Sequence, residues 1–343
     1  MRLTKKQRAD SELSQCLTEW GWKCHHPGIP TTEKREFVSP PSPNLSGTGR
    51  KEAFSFWLQA ARPKTLTASV SPVLLGCALA YVDGLFRPGA AVLCLLVALL
   101  AQIACNFAND YFDFKKGADT ADRLGPERAV ACGRIAPRTM LAATFITLGL
   151  ACLCGLGLLF YADWWLLFVG IAIAVCALAY SAGPYPLAYH GLGDVCVLLF
   201  YGVVPVCFTY YVQALSFSVL SFWLSLSVGL LSVNILVVNN YRDYEQDRAA
   251  GKRTSIVYFG RRFGRLLYLA NGISAIVFTL PLLLFPANAQ WIDLLYLAFF
   301  LLFLSTWREL TRLQGRALNR TLGRTARNVF FYTILLILAI LFQ

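Results

Sequence analysis

Charge is scarce in this 343-residue chain: only 15% of its residues are charged, against 57% hydrophobic, with a mean hydropathy of +0.54. No soluble core needs that apolar share, so the composition excludes an ordinary soluble domain and points to a polytopic membrane protein. The chain has no CxxC, and its three His residues do not pair with any of the eleven scattered Cys. Those thiols lie mostly inside apolar runs and read as reduced, small hydrophobic residues, which argues against a metal or redox site built on them. Residues 1 to 50 lack a continuous apolar h-region, so no secretory signal is expected there, and their five acids argue against an organellar transit peptide. This stretch ends in SPPSPNLSGTGR and is expected to be a disordered polar tail ahead of a membrane domain over 51–343.

Apolar runs of near-spanning length recur after the tail. About 20 residues are needed to cross roughly 30 Å of hydrocarbon. Candidates lie near 65–82, 89–109, 139–160, 164–181, 192–212, 218–240, 266–285, 290–306 and 328–343, which predicts an all-α bundle of nine transmembrane helices. Basic residues are almost absent from one side of it. With the N-terminus in the cytoplasm, the cytoplasmic segments hold 30 of the 31 Lys and Arg, and only Arg87 lies outside. The net charge of +12 is therefore topological, as the positive-inside rule requires, and no nucleic-acid partner is expected.

Two acidic stretches fall on that same face. NFANDYFDFKKGADTADR runs from Asn106 to Arg123, and its Asn106, Asp110 and Asp113 share one helical face, followed by Asp119 and Asp122. NNYRDYEQDRAAGKRT begins at Asn239 and Asn240 and sets Asp243 and Asp247 one turn apart. Together they hold seven of the 19 acidic residues. Carboxylates at helix ends also have a plain reading, because helix ends reach water. But an Asp at membrane depth is costly, and clustered like charges oppose one another's ionisation, so several on facing helices imply a compensating cation. Oxygen ligands of Asp and Asn type suit Mg²⁺, which binds through a few carboxylates and substrate phosphates. Interleaved bases, namely Lys115, Lys116, Arg123, Arg128, Arg248, Lys252 and Arg253, suit the phosphate oxygens that a metal leaves free. Carboxylate, Mg²⁺ and base together describe a diphosphate site.

These paired stretches resemble the Asp-rich motifs of the UbiA superfamily of membrane-embedded aromatic prenyltransferases, whose usual helix count is nine. ARPKTLTASVSPVLLG (Ala61 to Gly76), the gap between Asp113 and Asp119, YSAGPYPLAYHGLGD (Tyr180 to Asp194) and RALNRTLGRTAR (Arg316 to Arg327) are similar to the branch that acts on 1,4-dihydroxy-2-naphthoate. The likeness covers essentially residues 55 to 343. It implies Asp110, Asp113, Asp243 and Asp247 as catalytic metal ligands with Asn106 as a neutral ligand. It implies Lys116, Arg123, Arg128, Lys252, Arg253 and Arg62 at the diphosphate, and Asp119, Tyr180, Asp194, Asn239 and Asn240 as acceptor-side or accessory groups. Asp194 stands where many members of the family carry Glu.

The implied reaction is transfer of a polyprenyl group from its diphosphate to an aromatic acceptor. In the naphthoate branch the ring carboxylate is replaced, and its loss as CO₂ restores aromaticity. Arg62 and Lys64 serve equally as positive-inside anchors, and Tyr180, Tyr185 and His190 equally as interfacial belt residues. The six Arg between Arg308 and Arg327 recur mostly every four residues and read as a helical stripe toward lipid or an anionic surface. A sister enzyme acting on 4-hydroxybenzoate or homogentisate, an ion-coupled transporter and an assembly protein that keeps the fold remain open at this stage. A transporter predicts inverted repeats and broken helices at mid-membrane, whereas these Asp residues cluster at one face.

Overall fold

In the computed structural model, helix α1 (Arg50–Ala61) leads into three longer helices that each open on proline: α2 (Pro63–Val82), α3 (Pro88–Lys115) and α4 (Pro137–Gly157). Proline has no N–H to lose in a first turn, and its fixed φ is already helical. The structure describes residues 50–119, 123–284 and 291–342, all within one compact unit, Pro43–Gln343. The expected tail, apart from Arg50, and Asp122 lie outside the described residues.

Beyond α4 come α5 (Leu166–Ala179), α6 (Gly193–Leu198), a π-helical turn (Leu199–Val203) and α7 (Val204–Ala214). Then follow α8 (Val219–Arg242), the short α9 (Tyr244–Ala249), α10 (Ser255–Leu284), α11 (Trp291–Arg312) and α12 (Leu318–Leu341). Among the described residues all regular structure is helical, and eight helical segments are long and apolar enough to cross a membrane. The ninth expected span is α5, whose 14 residues reach only ~21 Å at 1.5 Å per residue.

Burial ranks the helices by role. The apolar window of α8 is 72% buried, whereas that of the segment containing α4 is 17% buried. Helix α8 is thus the hub, packed among α2, α10 and α12 around Leu224, Val228, Val237, Tyr268 and Tyr332. Helix α4 instead presents Phe145, Ile146, Leu150 and Leu153 outward, a band that only lipid covers favourably. Where the π turn crosses α8, a Cβ on Gly202 would lie 2.5 Å from Gly229 Cα, so two glycines let the backbones touch.

Two boundaries differ from the sequence expectation. Helix α10 starts at Ser255 rather than near 266, and it is kinked at Gly260, where φ is 83°. Helix α12 starts at Leu318 rather than near 328. In both, a basic first segment stays helical outside the apolar run. The four-residue Arg repeat therefore spans two helices and an intervening turn at Leu313–Ala317, and Arg324 of α12 pairs with Glu309 of α11.

Candidate active site

A cavity of about 620 Å³ enters the bundle from the end that carries the acidic stretches, within the usual size of a small-molecule site. Its mouth includes Asn109, Asp113, Arg128, Asn239 and Lys252, and its depth is apolar, reaching Cys94 and Val97 on α3 and Leu166 on α5. From Asp113 to Cys94 the wall follows α3 for ~28 Å, nearly a hydrocarbon thickness.

The last turns of α3 deliver the first carboxylates. Asp110 is buried; its Oδ2 accepts from the Ala129 amide at 3.2 Å, and its Oδ1 has no hydrogen-bond partner. Asp113 accepts the Tyr189 hydroxyl at 2.9 Å. Asn106 does other work: its amide donates to Ala61 O at 2.9 Å and its Oδ1 accepts from Gln102 at 3.2 Å, so it braces α1 to α3. Asp119, just beyond, is bonded by Arg123 and has the Arg128 Nε 3.5 Å from its Oδ2. Burial pushes the Asp119 carboxyl up to about 6, with Arg123 opposing and Asp113 adding to the shift.

The second stretch faces the first across the mouth. Asp247 lies on α9 with Oδ1 3.8 Å from Lys252 Nζ, while its Oδ2 is buried and unpartnered. Its pKa is raised to about 6 by burial, against the pull of Lys252 and with the help of Asp243 and Asp113. Burial opposes the charge on Lys252, but Asp247 and Asp113 outweigh it and raise its pKa. Asp113 thus acts on both residues of the other stretch. The Leu124 amide also donates to Gln246 Oε1 at 3.4 Å, tying the first loop to α9.

Sequence reasoning missed three residues that hold this arrangement together. Tyr189 bonds Asp113, lies under the ammonium groups of Lys116 (4.4 Å) and Lys252 (5.4 Å), and its carbonyl accepts from the Arg253 amide at 3.0 Å. Arg242, only 1% exposed, grips Asp243 with Nε at 2.7 Å and Nη2 at 2.6 Å, and also donates to Asn239 (2.8 Å) and Asn319 (2.7 Å). Asn319 in turn holds the Leu124 carbonyl at 2.9 Å, and a Cβ on Gly125 would stand 2.7 Å from Arg242 Nη2, so that loop packs directly on the guanidinium. Asn109, the third, accepts from the Ser181 hydroxyl. An arginine beside an aspartate in sequence signals none of this, because the pairing depends on where α12 ends up.

The basic residues divide. Lys116 donates to Ser181 O at 2.6 Å, and burial lowers its pKa to about 8. Arg62 stands in the left-handed region with φ 54°, a costly conformation for a residue with a Cβ, and it directs an unpartnered Nη2 into the buried interior beside the cavity. Burial lowers its pKa, while Asp110, Asp119 and Asp113 favour its charge. Arg123 keeps an Nε without a hydrogen-bond partner, and the Arg128 Nε has only the Asp119 carboxylate 3.5 Å away. Arg253, by contrast, contributes its backbone and leaves its side chain exposed. Tyr180, Asp194, Asn239 and Asn240 all line the cavity.

Among the described residues no three His, Cys, Asp or Glu side chains gather into a ready metal cluster. The donor set nonetheless fits hard cations, because Asp110 Oδ1 and Asp247 Oδ2 are buried carboxylate oxygens without hydrogen-bond donors, and Asp119 Oδ2 has only the Arg128 Nε at 3.5 Å. Asp113 and Asp243 are taken up by Tyr189 and Arg242.

Residues 69–342 match the UbiA prenyltransferase family. The chain belongs to that family. Among its relatives, a 1,4-dihydroxy-2-naphthoate octaprenyltransferase of Escherichia coli K12 is 35% identical over 294 residues, covering 83% of this chain and 94% of that protein. One of the same description from Mycobacterium tuberculosis is 36% identical, covering 69% and 80%. The human UbiA prenyltransferase domain-containing protein 1 is 30% identical, covering 64% and 65%. The fold is that of a UbiA homolog from Archaeoglobus fulgidus bound to GPP and Mg²⁺, with a TM-score of 0.58, 17% identity, and coverage of 82% and 99%. A UbiA homolog from Aeropyrum pernix K1 gives 0.59 at 16% identity, covering 83% and 97%. In this UbiA chain residues of both acidic stretches, Asn106, Asn109 and Asp113 of the first and Asn239, Asn240 and Lys252 of the second, line one cavity.

Proposed function

We propose that this chain transfers a polyprenyl group from an allylic polyprenyl diphosphate to 1,4-dihydroxy-2-naphthoate, releasing diphosphate and CO₂ and giving a demethylmenaquinol for menaquinone biosynthesis. The observation that carries the proposal is the meeting of two acidic, base-laced segments over one apolar cavity. The naphthoate relatives, aligned over most of their own length, support the acceptor.

Arg62, Lys116, Arg128 and Lys252 surround the mouth and bind and orient the diphosphate. Asp110 and Asp247, each with a buried oxygen that lacks a partner, would hold Mg²⁺ there, while Asp113 and Asp243 stand beside them engaged by Tyr189 and Arg242; the ion supplies charge neutralisation of the leaving diphosphate. Asp119 and Arg123 form the outer charge pair of the same mouth. The apolar walls take the isoprenoid chain and exclude water while the allylic C–O bond ionises. The aromatic acceptor enters beside Tyr180 and Asp194 and attacks through its ring carbon.

The test is acceptor choice. With Mg²⁺ and a polyprenyl diphosphate, the purified protein is expected to prenylate 1,4-dihydroxy-2-naphthoate and to leave 4-hydroxybenzoate unchanged. Prenylation of 4-hydroxybenzoate with its carboxylate retained would keep the chemistry and refute the acceptor.

The partition of basic residues supports a bacterial inner-membrane protein with the mouth and the N-terminus in the cytoplasm. An impermeant thiol reagent on intact cells should then label Phe86→Cys, beside Arg87, and spare Glu127→Cys. Labelling at position 127 would reverse the topology.

A further inference from the structure

One carboxylate in the cavity has no part in the diphosphate mouth. Asp194 sits in the first turn of α6 but does not cap it: the cap position is Leu192 and has no side-chain cap hydrogen bond. Its Oδ1 is buried without a hydrogen-bond partner, and the residue lines the cavity. Ser255, at the start of α10, turns its hydroxyl toward this carboxylate, also lines the cavity, and has a buried Oγ with no other partner. A buried carboxylate whose one neighbour is a single hydroxyl keeps acceptor sites unfilled, which is costly unless something else completes them. What completes them must reach them from the cavity.

The location relative to the donor site is set by the chain. Ser181 receives Lys116 and bonds Asn109 on the diphosphate side, while the preceding Tyr180 brings its hydroxyl close to Gly193, where a Cβ would lie 3.4 Å from it. On the opposite wall, Lys252 serves the mouth and Ser255, three residues on, serves Asp194. Asp194 therefore stands next along both walls from the groups that face the mouth, Ser181 with Lys116 on one and Lys252 on the other. The other titratable groups around it are Tyr180, Cys196 on its own helix, Tyr258 from α10 near Gly191, and Lys252.

We infer that Asp194, positioned with Ser255, is the base that takes and returns the hydroxyl proton of the aromatic acceptor. This rests on the prenyl-transfer reading above. The allylic C–O bond breaks and diphosphate leaves with the electron pair. The ring carbon that bears the carboxylate forms the new C–C bond as the neighbouring hydroxyl becomes a carbonyl, and its proton passes to Asp194 Oδ1. The bond to the carboxylate then breaks, CO₂ leaves, its electron pair restores the aromatic ring, and the oxygen takes its proton back from Asp194. No further acid, base or oxidant is consumed. Ser255 donates to the carboxylate or the acceptor oxygen and fixes the line of transfer.

The test compares Asp194→Asn, Asp194→Glu and wild type under anaerobic conditions, on the acceptor that the wild type turns over, with binding of the polyprenyl diphosphate in Mg²⁺ measured separately. Asp194→Asn is expected to lose about 10²- to 10⁴-fold in transfer at neutral pH while binding the donor as the wild type does. Its deficit should shrink as pH rises through ionisation of the acceptor hydroxyl, because the acceptor then arrives without the proton. Asp194→Glu should retain most of the activity. Unchanged transfer in Asp194→Asn, a deficit equal at every pH, or a loss of donor binding would each overturn the assignment. Failure of the wild type on the naphthoate, with turnover of another hydroxylated aromatic acid, would instead count against the acceptor named above.

Discussion

Asp110→Asn should lower prenyl transfer by orders of magnitude, Asp247→Asn should do the same, and the double variant should be little worse than either. Asp110 Oδ1 and Asp247 Oδ2 are both buried without a hydrogen-bond partner, and the two residues belong to the separate acidic stretches that contribute Asp113 and Lys252 to one cavity. If both serve one metal-bound diphosphate, removing either dismantles the unit, and residues that act as a unit are strongly non-additive. Affinity for the donor in Mg²⁺ should fall with turnover. Thermal stability in detergent should hold or rise, since each substitution removes a buried, incompletely solvated anion. Multiplicative losses in the double variant would show that the two carboxylates act separately.

Arg242→Met is expected to destabilise the fold rather than to slow one step. The guanidinium is buried and holds Asp243 on two bonds, so its loss strands a buried carboxylate at a cost of about 3–5 kcal/mol. It also frees the oxygens of Asn239 and Asn319, and through Asn319 it loosens Leu124 and the loop that carries Arg128. Adding Asp243→Asn should recover much of the stability, because the stranded charge is gone, but not the activity. The measurement is thermal unfolding of the purified variants. Wild-type stability in Arg242→Met would show that water or another base already serves Asp243.

Much of the bundle was legible because membrane solvation writes itself into composition: each span must be apolar for its length, and basic residues collect on one face. The ends of the spans were not. Helices α10 and α12 start earlier than their apolar runs, since Arg261, Arg262, Arg265, Arg320 and Arg324 lower local hydropathy without breaking a helix whose backbone bonds are internal. The acidic pairs were legible from spacing on one helical face. Which oxygens are free was not, because that depends on contacts far apart in sequence. Asn106 shares its face with Asp110, yet its amide is spent on Ala61, and Asp243 matches the motif, yet Arg242 engages it. Tyr189 lay in a stretch already singled out, between Tyr185 and His190. Only the fold shows that it, and not they, touches both acidic segments, while Tyr185 stacks on His190 at 3.5 Å.

The most direct measurement is the fate of the acceptor's carboxyl carbon. With 1,4-dihydroxy-2-naphthoate labelled at the carboxylate, a polyprenyl diphosphate and Mg²⁺, the purified chain should release one labelled CO₂ for each prenylated product and one diphosphate, with no label left in the prenylated ring. Prenylated product that retains the label, or an absence of turnover in protein shown to be folded, would contradict it.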